Sequence, residues 1–64
     1  MDYAEFVVEF VVAAKAGDRA RLGRVLKQTV TCTFCKKDVS AMAAWQTDKA
    51  RLACPACGAE WVRF

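Results

Sequence analysis

The chain has 64 residues, 56% of them hydrophobic, which excludes a disordered protein and leaves room for one domain. Below about 70–80 residues a core alone rarely supplies more than a few kcal/mol. Ten Lys and Arg against seven Asp and Glu give a mild +3, and the complete absence of His removes Ser-His-Asp and Cys-His catalysis, a His general base and every His metal ligand.

The N-terminus is acidic, at Asp2 and Glu5, where a secretory leader begins basic. The apolar stretch from Phe6 to Ala14 is interrupted by Glu9 and falls far short of the about 20 residues that span a bilayer. The expected setting is a reducing cytoplasm, with no membrane association. Residues 1–28 hold no Cys and no Pro and read as a helical hairpin. Asp2 is placed to cap a first helix, Tyr3 to about Ala16, and Gly17 to end it. Asp18 then caps a second helix, Arg19 to about Gln28.

On a wheel of about 100° per residue, Asp2, Glu5, Glu9 and Ala16 share a narrow stripe of the first helix, with Val12 at its edge. Tyr3, Phe6, Val7, Val8, Phe10, Val11, Ala13 and Ala14 cover most of the remaining girth. So few residues remain to wrap it that part of Phe6, Val7, Phe10 and Val11 is expected to stay exposed and meet a protein partner, most simply a second copy in a homodimer. The other outcome is burial against the second half of the chain, with Trp45 or Trp61 as cover. In the second helix Leu22, Val25 and Leu26 share one face and Arg21, Arg24 and Lys27 the opposite one. Gly23 between them costs about 1 kcal/mol relative to Ala and is a candidate point of close packing between the two helices.

Residues 29–64 carry all four Cys, the only Pro and both Trp. Thr29-Val30-Thr31 is a β-prone lead into Cys32; Val39 to Gln46 suits a strand or, through Ala41, Ala43 and Ala44, a short helix. Thr47-Asp48-Lys49 is a polar turn, Arg51-Leu52-Ala53 leads into Cys54, and Glu60 to Phe64 forms the last strand. The cysteines read Cys32-Thr-Phe-Cys35, eighteen residues, Cys54-Pro-Ala-Cys57. Two Cys three apart in a tight turn aim both sulfurs at one ion, and two such turns complete a tetrahedral site. Pro55 pre-sets its turn and Gly58 permits the positive φ needed on leaving it.

With these knuckles, residues 29–64 resemble a zinc ribbon, a β-hairpin fold stapled by four cysteines around Zn2+. The second knuckle, Cys54-Pro55-Ala56-Cys57-Gly58, has the form shared by zinc ribbons and rubredoxin-like domains, whereas Lys36 stands where the first would often have Gly. Beside the helical hairpin read in 1–28, the resemblance implies a β-ribbon over 29–64, and the expectation is that the two pack as one small α+β domain. The resemblance covers residues 29–64 alone. It also implies one zinc per chain on Cys32, Cys35, Cys54 and Cys57. Iron uses the same ligands and stays open, as does thiol redox chemistry, although neither Cys pair opens a helix that would lower a thiol pKa. Four thiolates and one divalent ion bring the net charge to +1, so nucleic-acid binding needs a local patch.

Candidates for such a patch are Arg21, Arg24, Lys27, Lys36, Lys37, Trp61 and Arg63. Phe34, Val62 and Phe64 are expected in the core instead. A four-sulfur zinc site has no open position for water or substrate, so the expectation is not an enzyme and no small-molecule substrate. The functional expectation is a binding module that docks on a macromolecular partner, a protein first and DNA or RNA second. Zinc ribbons in transcription and translation machinery supply the analogy. A rubredoxin-like electron carrier is the distant alternative.

Overall fold

A computed structural model describes the whole chain, Met1–Phe64. It is a small α+β structure with the helices first. Helix α1 spans Tyr3–Ala16; the Asp2 carboxylate accepts from Glu5 N at 2.8 Å, and Gly17, at φ 67°, returns its N–H to the carbonyls of Ala13 and Ala14. Helix α2 spans Arg19–Leu26 and starts at Asp18, whose carboxylate accepts from Arg21 N at 3.0 Å. It stops before Gln28, whose carbonyl accepts from Ala41 N at 3.0 Å and ties the chain to the next layer.

Strands β1 (Thr29–Thr31) and β2 (Asp38–Ser40) pair antiparallel, Val30 opposite Val39. A one-turn helix α3 (Ala41–Ala44) follows, then β3 (Trp45–Gln46), β4 (Arg51–Ala53) and β5 (Glu60–Arg63). The three last strands form a second antiparallel sheet in the order β3-β4-β5, with Trp45 opposite Leu52 and Leu52 opposite Val62. The segment from Val39 to Gln46 is therefore strand, helical turn and strand in succession. Its alanines make the middle helical and its flanks pair. Each knuckle closes its own hairpin, β1–β2 and β4–β5, in place of one hairpin spanning both.

The core mixes both halves of the sequence: Phe6, Phe10 and Val25 from the helices meet Val30, Val39, Ala44 and Leu52, and the sulfurs of Cys32 and Cys54 belong to the same cluster. Helix α1 is its spine. Phe6 lies edge-on to Trp61 at 6.0 Å, and Phe10 contacts Trp45 at 4.9 Å and Phe64 at 5.6 Å.

This corrects the exposure expected on α1. Phe6 and Phe10 are 0% and 4% exposed, and Val7 and Val11 are half-buried. The exposed valines are Val8 and Val12 on the other side of the helix. Counting residues understated the cover, because each large ring of the ribbon buries about 150–250 Å2. Three further expectations fail. Phe34 lies outside the core, 62% exposed, with Tyr3 at 5.7 Å as its aromatic neighbour. Phe64 is 52% exposed at the edge of the core, where its ring meets Phe10 and Trp45. Gly23 is not a packing point, since nothing lies within 4 Å of where its Cβ would stand. No helix is long and apolar enough to cross a membrane.

Candidate metal centre

The two knuckles are built alike from the backbone up. In the first, Lys36 N donates to Cys32 O at 2.8 Å and Cys32 N to Lys37 O at 3.0 Å. In the second, Gly58 N donates to Cys54 O at 2.8 Å and Cys54 N to Ala59 O at 2.9 Å. The residue after the second Cys turns left-handed in both, Gly58 at φ 79° and Lys36 at φ 61°. Lys36 thus adopts the conformation that Gly takes in the matching position, and the first knuckle keeps the same geometry without it.

The hairpins bring the knuckles face to face. Cys32 Sγ lies 3.8 Å from Cys57 Sγ and Cys35 Sγ lies 3.6 Å from Cys54 Sγ. All four sulfurs are within 4.8 Å of one another. A tetrahedral ion with bonds of about 2.3 Å to sulfur sets its ligands about 3.8 Å apart, so the cluster has the size of a four-thiolate site. Cys32 and Cys54 are fully buried, Cys35 is half-buried and Cys57 is exposed.

The thiols differ in proton affinity. Burial pushes Cys32 up, but the N–H groups of Cys35 and Phe34 and the thiols of Cys54 and Cys35 hold its thiolate more strongly, bringing its pKa down to about 6. At Cys57 the Ala59 N–H pulls down, but desolvation and the other three thiols overcome it and push the pKa up to about 11. At Cys35 the Lys37 N–H is likewise outweighed by burial and by the thiols of Cys54 and Cys32, and the pKa is raised. The metal-free cluster therefore concentrates negative charge on Cys32, and a second thiolate beside it is resisted until a cation arrives.

The candidate nucleic-acid residues sit on three parts of the fold: Arg21 and Arg24 on α2 with Lys27 as its C-cap, Lys36 and Lys37 on the first knuckle, Trp61 and Arg63 on β5. Arg21 is engaged by Glu9 at 2.6 Å, a bond that holds α2 to α1 and raises the Arg21 pKa. Arg63 pairs with Glu60 at 3.1 Å. Trp61 turns its ring to Tyr3 and Phe6, and its Nε1 is buried without a hydrogen-bond acceptor. Arg24, Lys27, Lys36 and Lys37 are exposed.

The sequence reading missed two features. Arg19, at the start of α2, belongs to its exposed basic face, which i,i+4 spacing to Gly23 and Lys27 would have shown. Phe10, Ala14, Leu22, Leu26, Trp45 and Phe64 line an apolar cleft that no local pattern announces. Comparison with protein-family models, with curated proteins and with solved structures gives no significant match, so the assignment as a small metal-binding domain rests on the geometry of its four cysteines.

Proposed function

We infer that this chain is a small zinc-ribbon module that acts by docking on a protein partner. The observation that carries the metal is the sulfur geometry, four Sγ atoms within 4.8 Å and no competing ligand type among them. Zinc accounts for the site better than iron because rubredoxin-like carriers are acidic, whereas this chain is +3 before its thiols ionise. Cys32, Cys35, Cys54 and Cys57 fill the four positions of a tetrahedral ion, so the metal has a structural role and the module is not an enzyme. The reading requires a reducing compartment such as the cytoplasm, because oxidised thiols do not ligate.

A protein partner is favoured over nucleic acid because Arg21 and Arg63 are neutralised by Glu9 and Glu60 and the Trp61 ring faces inward. A homodimer through α1 loses its two aromatic anchors, Phe6 and Phe10, to the core.

Elemental analysis of the folded, reduced protein tests the metal: one zinc per chain and a colourless solution are expected. Less than about half an equivalent of metal would overturn the reading, and a red ferric site would turn it into an electron carrier. Pull-down of the tagged chain with and without nuclease separates the partner classes: nuclease-resistant capture supports a protein, nuclease-sensitive capture a nucleic acid.

A further inference from the structure

Between α1, α2, β3 and Phe64 lies a cleft of about 200 Å3, lined by Phe10, Ala14, Leu22, Leu26, Trp45 and Phe64 and hydrophobic throughout. It is smaller than the about 300–1,000 Å3 that a drug-sized ligand fills and suits one large side chain. Phe64 at its edge is 52% exposed, so the cleft is reachable from solvent.

Helix α2 supplies one wall and a charged rim. Leu22 and Leu26 form one i,i+4 row; Arg19, Gly23 and Lys27 form the neighbouring row. Arg19 and Lys27 are exposed. Neither has a carboxylate within ion-pair distance, the ion pairs of the chain using Arg21, Arg51 and Arg63. Between Arg19 and Lys27 the rim drops at Gly23, where a Cβ would meet nothing within 4 Å. A partner's backbone has room to approach there with unpaired cations on both sides.

We propose that this cleft and its basic rim are the docking site, taking one aromatic or branched aliphatic anchor side chain carried on an acidic protein segment; the proposal rests on reading the chain as a docking module. The cleft selects the anchor by burying apolar surface. Arg19 and Lys27 select Asp and Glu around it and orient the encounter. Nucleic acid suits the site less well. Bases stack on open aromatic faces, and the Trp45 ring is already engaged by Phe10 at 4.9 Å and Phe64 at 5.6 Å.

The test titrates the isotope-labelled, zinc-loaded full chain with short synthetic peptides. One is Glu-rich with a central Phe, one has that Phe replaced by Ala, and one has Lys in place of each Glu. A short DNA duplex is the fourth probe. The Glu-rich Phe peptide is expected to shift the Trp45 indole and the Leu22 and Leu26 signals and leave Trp61 in place, with the Ala and Lys peptides at least about tenfold weaker. Arg19→Glu combined with Lys27→Glu, both at exposed positions, should weaken binding about tenfold, and Ala14→Leu, filling the cleft from an exposed wall, should abolish it.

Binding of the Lys peptide or the duplex as tight as that of the Glu-rich peptide overturns the proposal. So do shifts at Val8 and Val12 in place of the cleft. A folded, zinc-loaded chain whose cleft signals stay still overturns the site and leaves the docking-module reading intact. A folded chain without stoichiometric metal overturns that reading and the site together.

Discussion

Lys36 and Gly23 are two residues whose backbone needs and side chains disagree, and both disagreements are measurable. Lys36 sits at φ 61°, a region that costs a residue with a Cβ about 1–2 kcal/mol. Glycine would remove that cost and add about 0.4–1 kcal/mol of unfolded-chain entropy to be lost. Lys36→Gly should therefore stabilise the metal-loaded protein by about 0.5–1 kcal/mol net, read as a shift in denaturant midpoint at unchanged slope. Destabilisation would mean that the Lys36 side chain holds the knuckle in a way its exposure does not indicate. Gly23 is the reverse case: a helix-interior glycine with open space around it. Gly23→Ala should stabilise the chain by about 1 kcal/mol through helix propensity. These residue-scale features are only half legible in the sequence. The Cys-x-x-Cys spacing exposes the departure at Lys36, but that the knuckle keeps its geometry is decided by the paired backbone bonds to Cys32 O and Lys37 O.

Helix α1 is the element on which the rest of the chain closes. Its inner face runs Tyr3, Phe6, Phe10 and Ala13, with Trp61 covering one end and Trp45 and Phe64 the other. Truncating a buried aromatic in such a core costs about 3–5 kcal/mol, so Phe10→Ala should consume most of what a core this small supplies. Val8→Asp, on the outer face at 61% exposure, should move stability by no more than about 0.5 kcal/mol. Chemical denaturation of the two variants side by side checks the orientation of the helix. Equal losses would place both residues at a buried surface. Phe10→Glu, which buries an unpaired carboxylate in that core, should unfold the helix layer.

At the scale of the whole molecule the four-cysteine cluster and the core are one structure, because Cys32 and Cys54 are members of the buried cluster. Structural zinc contributes about 10–16 kcal/mol of apparent binding energy at neutral pH, more than the core has in reserve. A chelator should therefore unfold the chain cooperatively, with circular dichroism and Trp fluorescence changing together. Cys54→Ser should abolish folding rather than weaken metal binding alone; a folded, metal-free Cys54→Ser protein would refute that coupling.

The pH dependence has a definite sign. Near neutral pH the metal-free cluster holds Cys32 as thiolate, its pKa being about 6, while Cys57, at about 11, and Cys35, also raised, keep their protons. Metal binding must expel at least those two protons, so apparent affinity should rise at least about a hundredfold per pH unit between about pH 7 and 8. Below about pH 6 Cys32 protonates as well and the loss on acidification steepens. Competition titrations at several pH values measure the slope, and a flat profile would mean that the thiols are already ionised before the metal binds.

Features that neighbours along the chain decide were legible from the residues alone. Asp2 and Asp18 cap helices through bonds to the third residue on, at Glu5 and Arg21, and Gly17 ends α1 through its own N–H. The Cys spacing places two sulfurs on each turn for the same reason: each knuckle is closed by hydrogen bonds within six residues. Everything involving a distant partner was left to the tertiary structure. Phe10 meets Phe64, Glu9 meets Arg21, and Phe34 stays in solvent because Tyr3 is the only ring it reaches. The wheel identified α1 as too apolar for its surroundings but not which side chains would cover it. A helix face states how much surface must be buried, and only the packing of the three ribbon aromatics Trp45, Trp61 and Phe64 decides that Phe6 and Phe10 are covered from within the chain, leaving the cleft beside Leu22 and Leu26 as the apolar opening.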